Sequence, residues 1–382
     1  MKVMSVLLML TLLLTGCWDV KEVQSVNFIT ALGVDYVKDH YVIYAQMLDF
    51  WEISRQDTPS NTGKAKIWIG KAEGATMTDA LNNLYPASQQ RTLWTHVKTI
   101  VFSRSLLESH LSETVASLLR SRDFRYTPWV FGTDQEMGQL LSSVSLLNHS
   151  VINSELMDPM EVFKQYSSIE PIQLIKLING INEPAGRALL PSITITDEVW
   201  KDYNDPINLV KLNGAFCISK GKSTGFMDME HLNGVRYTSF RKMYKYPLTV
   251  DMPDGSHVVL NIVDSKSKSH FKIKAGVPVA GMKIKARIHV VEVNKESSAT
   301  AQKIKELAQI AVAKEVRTTF AEARQKDIDI YGLEKKLYRK HNANWKRLSS
   351  GTSNSLISKI DLGDVEVNLK VVHATSYKLS DH

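Results

Sequence analysis

Hydrophobic positions along this chain change their spacing several times, and each change marks a predicted element. Residues 3–14 form a nearly continuous apolar run behind Met1-Lys2. From 26 to 47 the pattern reads strand, turn, strand: Phe28-Ile29-Thr30-Ala31-Leu32 is apolar, 33–39 carries turn residues, and Tyr41-Val42-Ile43-Tyr44-Ala45 is β-rich. A polar loop follows at 56–64, then a short strand at Ile67-Trp68-Ile69. Thr76, with Asp79 three residues on, predicts a capped helix through Leu84. Residues 97–102 read as a buried strand, and Leu107, Leu111, Val115, Leu118 and Leu119 set a helical period over 106–119.

The stretch 179–206 is punctuated by Gly180, Pro184, Gly186, Pro191 and Pro206 and reads as a linker. Beyond it, 209–219 has a strand pattern that ends in Lys220-Gly221-Lys222-Ser223. Residues 271–293 alternate as two strands around a turn at 276–281. Lys272, Lys274, Lys283, Lys285 and Arg287 fall on one face, and Phe271, Ile273, Met282, Ile284 and Ile288 on the other. The period becomes helical over 301–320, where Ile304, Leu307, Ala308, Ala311, Val312, Val316 and Phe320 share a side. Residues 365–374 close the chain as a strand. The predicted fold class is α+β, a mixed α/β chain of more than one domain with mixed sheets packed by helices, the C-terminal half being a sheet with one long helix.

The expected division is a signal peptide at 1–16, a lipidated tether at 17–25, an N-terminal α/β domain at 26–180, the linker at 181–206 and a C-terminal α/β domain at 207–382, with room to subdivide. The N-terminus carries the clearest chemistry. One lysine and a 12-residue apolar core have the length of a signal peptide and fall short of the roughly 20 residues that span a bilayer. They lead into Leu14-Thr15-Gly16-Cys17, where small residues fit a peptidase cleft and Cys17 supplies the one thiol able to take a thioether-linked diacylglycerol and an N-palmitoyl group. Cys17 is thus the expected lipidation site, and the mature chain is expected outside the cytoplasm, tethered to a membrane.

Composition adds limits. The 382 residues are 43% hydrophobic and 23% charged, which suits globular domains. With Cys17 lipidated, Cys217 has no partner for a disulfide, so packing alone must hold the fold. The net charge of +7 falls to +6 once Lys2 leaves with the signal peptide. Residues 264–305 hold ten Lys/Arg against Asp264, Glu292 and Glu296, a surface that anionic lipid headgroups would attract. The same face also fits a plain solvated sheet, and nucleic acid is a poor partner because aromatics do not interleave with the charges.

No catalytic constellation emerges. The chain has no His-Glu-x-x-His helix or Gly-x-Gly-x-x-Gly loop. Gly221-Lys222-Ser223-Thr224 looks like the tail of a phosphate loop, but Phe216 stands where its first glycine belongs, so a hairpin turn is expected. Cys217, inside Ala215-Phe216-Cys217-Ile218, reads as a buried inert thiol, and His96 as a packed, hydrogen-bonded histidine. The eleven histidines show no metal-ligand spacing, and no metal, cofactor or enzymatic activity is expected.

Several stretches nonetheless resemble one family. They are Gly16-Cys17-Trp18-Asp19, Gly33-Val34-Asp35, Glu73-Gly74-Ala75-Thr76 with Asp79-Ala80, Trp94-Thr95-His96, Leu118-Leu119-Arg120 and Leu212-Asn213-Gly214-Ala215-Phe216. Nearer the C-terminus come Asp327-Ile328, Tyr331-Gly332, Tyr338-Arg339-Lys340 and Trp345-Lys346. Together they resemble the Ger(x)C spore-germination lipoproteins of endospore formers, over nearly the whole mature chain. Tyr331 stands where the family carries phenylalanine, and 70–74 is looser than the family pattern. The resemblance implies a non-catalytic lipoprotein subunit of a nutrient germinant receptor. It would act as scaffold or coupler beside a multi-pass A subunit and a transporter-like B subunit, on the outer face of the spore inner membrane. It also implies several mixed α/β subdomains, the C-terminal one GerAC-like. Two other classes compete: a tethered solute receptor for the germinant, which would call for two similar lobes, and a tethered cell-wall hydrolase, which would need acidic residues in a cleft.

Overall fold

The computed structural model describes residues 26–48, 67–143, 146, 154–166, 169–203, 205–239, 246–293, 300–350 and 355–372. In chain order the first half contains β1 (Val26–Val37), β2 (His40–Leu48), β3 (Ile67–Gly74), α1 (Met77–Asn82), β4 (Arg91–Leu93), β5 (Thr99–Ser103), α2 (Arg104–Ser109), α3 (Leu111–Arg120), β6 (Trp129–Thr133), α4 (Met137–Leu141), α5 (Pro159–Gln165), β7 (Ile172–Gln173), α6 (Leu174–Asn182) and β8 (Arg187–Thr196). Then come β9 (Lys201–Asp202), β10 (Asp205–Pro206), β11 (Leu209–Ser219), β12 (Lys222–Asp228), α7 (Arg236–Ser239), β13 (Pro247–Asp251), β14 (His257–Lys274), β15 (Val277–Val293), α8 (Ala301–Gln325), α9 (Leu333–Lys340), α10 (Asn342–Ser349) and β16 (Asp361–Val371).

The first sheet runs β12-β11-β8-β6-β5-β1-β2-β3, with β4 beside β1 and β7 beside β6. Its centre, β1, β5, β6 and β8, is parallel, and antiparallel hairpins close each side. A parallel centre needs cover on both faces, which explains the unbroken apolar run of β5. Ile100 and Phe102 enter one core with Leu106, Leu107 and Phe216, while Val101 enters another with Phe131, Met137 and Ile193. Thr76 caps α1 by accepting from the Asp79 amide at 3.1 Å.

The second sheet runs β13-β14-β15-β16, antiparallel except for β16, which lies parallel to β15. The connection back to β16 passes through α8, capped by Thr300 and packed on the sheet's inner face. Ile304, Ala308, Val312, Val316, Phe320 and Ala323 recur every three or four residues and share a core with Met282, Ile284, Ala286 and Ile288. The molecule is thus α+β, with mixed sheets packed by helices.

Four expectations need correction. The stretch read as a linker, 181–206, holds β8, an interior strand of the first sheet with Leu190, Ser192 and Ile193 buried. Pro191 is tolerated because β8 meets β6 through one pair, Gly132–Ser192. Residues 209–228, assigned to the C-terminal half, pair with β8 and complete that same sheet. Finally, the hairpin of the second half turns at Ala275-Gly276, both left-handed, so its strands are longer than the turn expected at 276–281 allowed. The helical period over 106–119 is also split, into α2 and α3, at His110. The polar loop expected at 56–64 lies outside the described residues.

Candidate functional site

The cationic face forms as its alternation predicts. In β15, Met282, Ile284, Ala286 and Ile288 are buried and Lys283, Lys285 and Arg287 exposed. Across the sheet Lys268 stands opposite Lys283, Lys266 opposite Lys285 and Asp264 opposite Arg287. On the other flank Glu366, Asn368 and Lys370 face the same three residues, and Lys272 and Lys274 extend the face toward the hairpin tip. Ile273, expected on the inner side with Phe271, is exposed at that tip.

The acids here are already engaged. Glu366 meets Lys283 at 2.8 Å, and Asp264 meets Arg287 at 2.6 Å. The Lys283 hydrogen bond and charge, with His270 and Lys272 adding, hold the Glu366 carboxyl below its ordinary value. Lys266, Lys268, Lys272, Lys274, Lys285 and Lys370 have no ion-pair partner among the described residues. The face is therefore a broad positive surface.

A second feature lies between the first sheet and the segments around the start of α9. A cavity of ≈ 460 Å³ is walled on one side by Arg187 of β8, Cys217 and Ser219 of β11, and Lys222, Ser223 and Thr224 of β12. The other wall is Asp327, Asp329, Glu334 and Ser355. Local rules build both. The β11–β12 hairpin turns through Lys220 and Gly221, each with positive φ, and Lys222, Ser223 and Thr224 open β12, so the stretch is a hairpin and not a phosphate loop. Opposite, Gly332 adopts the left-handed conformation (φ 62°) and starts α9, whose Leu333 and Glu334 amides donate to the Asp329 carboxylate at 2.8 and 2.9 Å. A Cβ on Gly332 would lie 2.8 Å from Arg187 Nε, so the glycine lets the guanidinium lie against the backbone.

Charge inside this cleft is desolvated. Burial, with the Arg187 charge adding, pushes the Lys336 ammonium down to about 8; Nζ donates to Ser269 Oγ and the Tyr331 carbonyl at 3.0 and 3.1 Å. Burial raises the Glu334 carboxyl, which accepts from Ser355 Oγ and, at 2.6 Å, from the Leu356 amide. Burial raises Asp327 too. At the rim Glu183 pairs with Lys335 and Arg339 and fastens the two sheet units together.

The remaining sequence candidates are placed as follows. Cys217 is buried and its thiol is pushed up to about 11, the behaviour of a packing residue. His96 is exposed, its ring edge-on to Phe28 at 4.6 Å and its Nδ1 at 3.1 Å from Thr95 Oγ1, which corrects the packed position expected for it. Cys17 lies outside the described residues. Sequence reasoning missed Arg187, Asp329, Glu334 and Lys336, although Asp327-Ile328 and Tyr331-Gly332 bracket Asp329 and lie just ahead of Glu334 and Lys336.

Comparison with known proteins now adds identity. Residues 19–195 match the family described as spore germination protein N-terminal domain, and 213–374 the one described as spore germination B3/GerAC like, C-terminal. Spore germination protein KC of Bacillus subtilis (strain 168) is 20% identical over 368 residues, 90% of this chain and 89% of that protein. Spore germination protein B3 of the same organism is 20% identical over 301 residues, 74% of this chain and 72% of its own length. The crystal structure of the GerBC protein superposes with a TM-score of 0.53 at 13% identity, covering 89% of this chain and 96% of that one. The boundary between the two family matches falls inside the first sheet, whose last two strands belong mostly to the C-terminal match. With both halves matched and the architecture shared, the chain belongs to the Ger(x)C family of spore germination proteins.

Proposed function

We propose that this chain is the lipoprotein subunit of a nutrient germinant receptor, working without catalysis as a scaffold or coupler beside the membrane A and B subunits. The observation that carries this reading is the match of both halves to spore germination families. In the proposal Cys17 bears the lipid and holds the chain on the outer face of the spore inner membrane. Two or three acyl chains, at about 0.8 kcal/mol per buried CH₂, make that anchor durable. No described helix is long and apolar enough to cross a membrane.

The cationic face supports a second contact, with anionic headgroups. Each lysine near such a surface contributes about 1 kcal/mol, screened beyond roughly 8–10 Å. A tether already supplies proximity, so modest attraction is enough to orient the molecule. Isolation of the lipidated protein from spore membranes, with identification of what copurifies, tests the assignment. Recovery of the A and B subunits is expected; release of the chain from membranes without either one defeats it.

A further inference from the structure

The cleft between the first sheet and the loop ahead of α9 holds a charge pattern that neither the scaffold role nor folding stability explains. Arg187 projects from the end of β8, and its guanidinium has no hydrogen-bond or ion-pair partner among the described residues, nor has the Lys222 ammonium across the hairpin. A guanidinium kept in a partly desolvated cleft without a partner costs stability, and its planar fork matches a carboxylate. The facing wall is acidic. Glu334 has committed Oε1 to the Ser355 hydroxyl and the Leu356 amide, and Asp327 stands beside it. Asp329 is engaged by the first turn of α9.

We propose that this cleft is a binding site for a small zwitterion, its carboxylate seated on Arg187 with Lys222 at the mouth, and its ammonium turned to Glu334 and Asp327. A bare anion would meet three carboxylates there, and a bare cation would meet Arg187, Lys222 and the nearby Lys336 ammonium. A molecule with both signs, correctly spaced, meets neither penalty. The cavity, ≈ 460 Å³, lies in the range of about 300–1,000 Å³ usual for small-molecule sites, which favour such junctions. Ser219, Ser223 and Thr224 add hydroxyls along the first wall. A ligand here touches the first sheet on one side and the loop ahead of α9 on the other, so its binding bears on how the two units sit together. The inference goes beyond the receptor-subunit reading and does not depend on it.

The test is calorimetry on the full-length chain in detergent, with free L-amino acids as simple zwitterions and their N-acetyl and methyl-ester forms as single-charge controls. At least one amino acid is expected to bind saturably, with both blocked forms weaker by about tenfold or more. Arg187→Met should lower affinity by about 10- to 100-fold with the melting profile retained, and the change at the exposed strand end, Lys222→Gln, by less. Should Arg187→Met fail to fold, the blocked ligands and Lys222→Gln still decide the matter. No binding by any amino acid overturns the proposal. So does equal binding of a blocked form, or wild-type affinity in Arg187→Met. Copurification of receptor subunits is a separate readout, so either reading can fail alone.

Discussion

Lys266 and Lys285 stand directly opposite one another on β14 and β15, both on the exposed face and neither with an ion-pair partner among the described residues. Like charges in that relation are destabilising, by a few tenths to about 1 kcal/mol. Lys268 and Lys283 repeat the arrangement one pleat on. The sheet therefore carries a charge pattern that folding alone disfavours. Lys285→Glu is expected to raise the denaturation midpoint slightly, by about 0.5 kcal/mol, while weakening flotation with anionic vesicles at low salt. Wild-type protein that fails to float at low salt would remove the lipid role of this face and leave the stability effect standing.

The anchor prediction rests on a single thiol. Cys17→Ala leaves no neighbouring group able to take a thioether lipid, so metabolic labelling with a fatty-acid analogue should give an unlabelled product. Label retained on the substituted chain would sink the lipidation reading.

A buried ion pair ties α7 to the long helix α8. Arg236 is 6% exposed, donates to Glu315 at 2.7 Å, and lies over the Tyr246 ring at 3.7 Å, while Tyr237 OH donates to Glu315 at 2.6 Å. Glu315→Gln strands the arginine without a countercharge and should cost about 3 kcal/mol, read as a lower urea midpoint. Replacing both partners by apolar residues, Arg236→Met with Glu315→Leu, should recover much of that loss. A single substitution costing under about 1 kcal/mol would show the pair to be structurally idle.

Lys336 gives the cleft a pH signature. In the fold it loses its proton near pH 8, against 10.5 for an ordinary lysine. Between those values the unfolded chain binds a proton that the folded chain has released, so this residue makes stability rise with pH across that window. Below pH 8 both states are protonated, and the fold carries the full desolvation cost, on the order of 3 kcal/mol at most. Lys336→Met should thus be more stable than wild type at pH 7, with the gap shrinking toward pH 10.5. Arg187, Lys340 and Asp329 surround position 336 in both proteins, so the difference isolates Lys336. Parallel stability profiles for the two proteins would contradict the assignment.

Local physics made much of this protein legible in its sequence. Thr76 and Thr300 cap helices because a hydroxyl accepts an orphan amide wherever it precedes one. The cationic face was readable because side chains in a strand alternate, so Met282, Ile284, Ala286 and Ile288 force Lys283, Lys285 and Arg287 outward. Other features depended on partners far away in sequence. The glycines and prolines of 181–206 resemble punctuation, yet β8 is a strand because ten pairs with β11 supply its hydrogen bonds. The cleft gathers Arg187, Lys222, Asp327 and Glu334 from segments with no common local pattern, and only the docking of one sheet unit on the other decides that they meet. Period and capping are short-range and written in neighbouring residues; which strand completes a sheet, and which charges share a desolvated space, is settled by burial between distant segments.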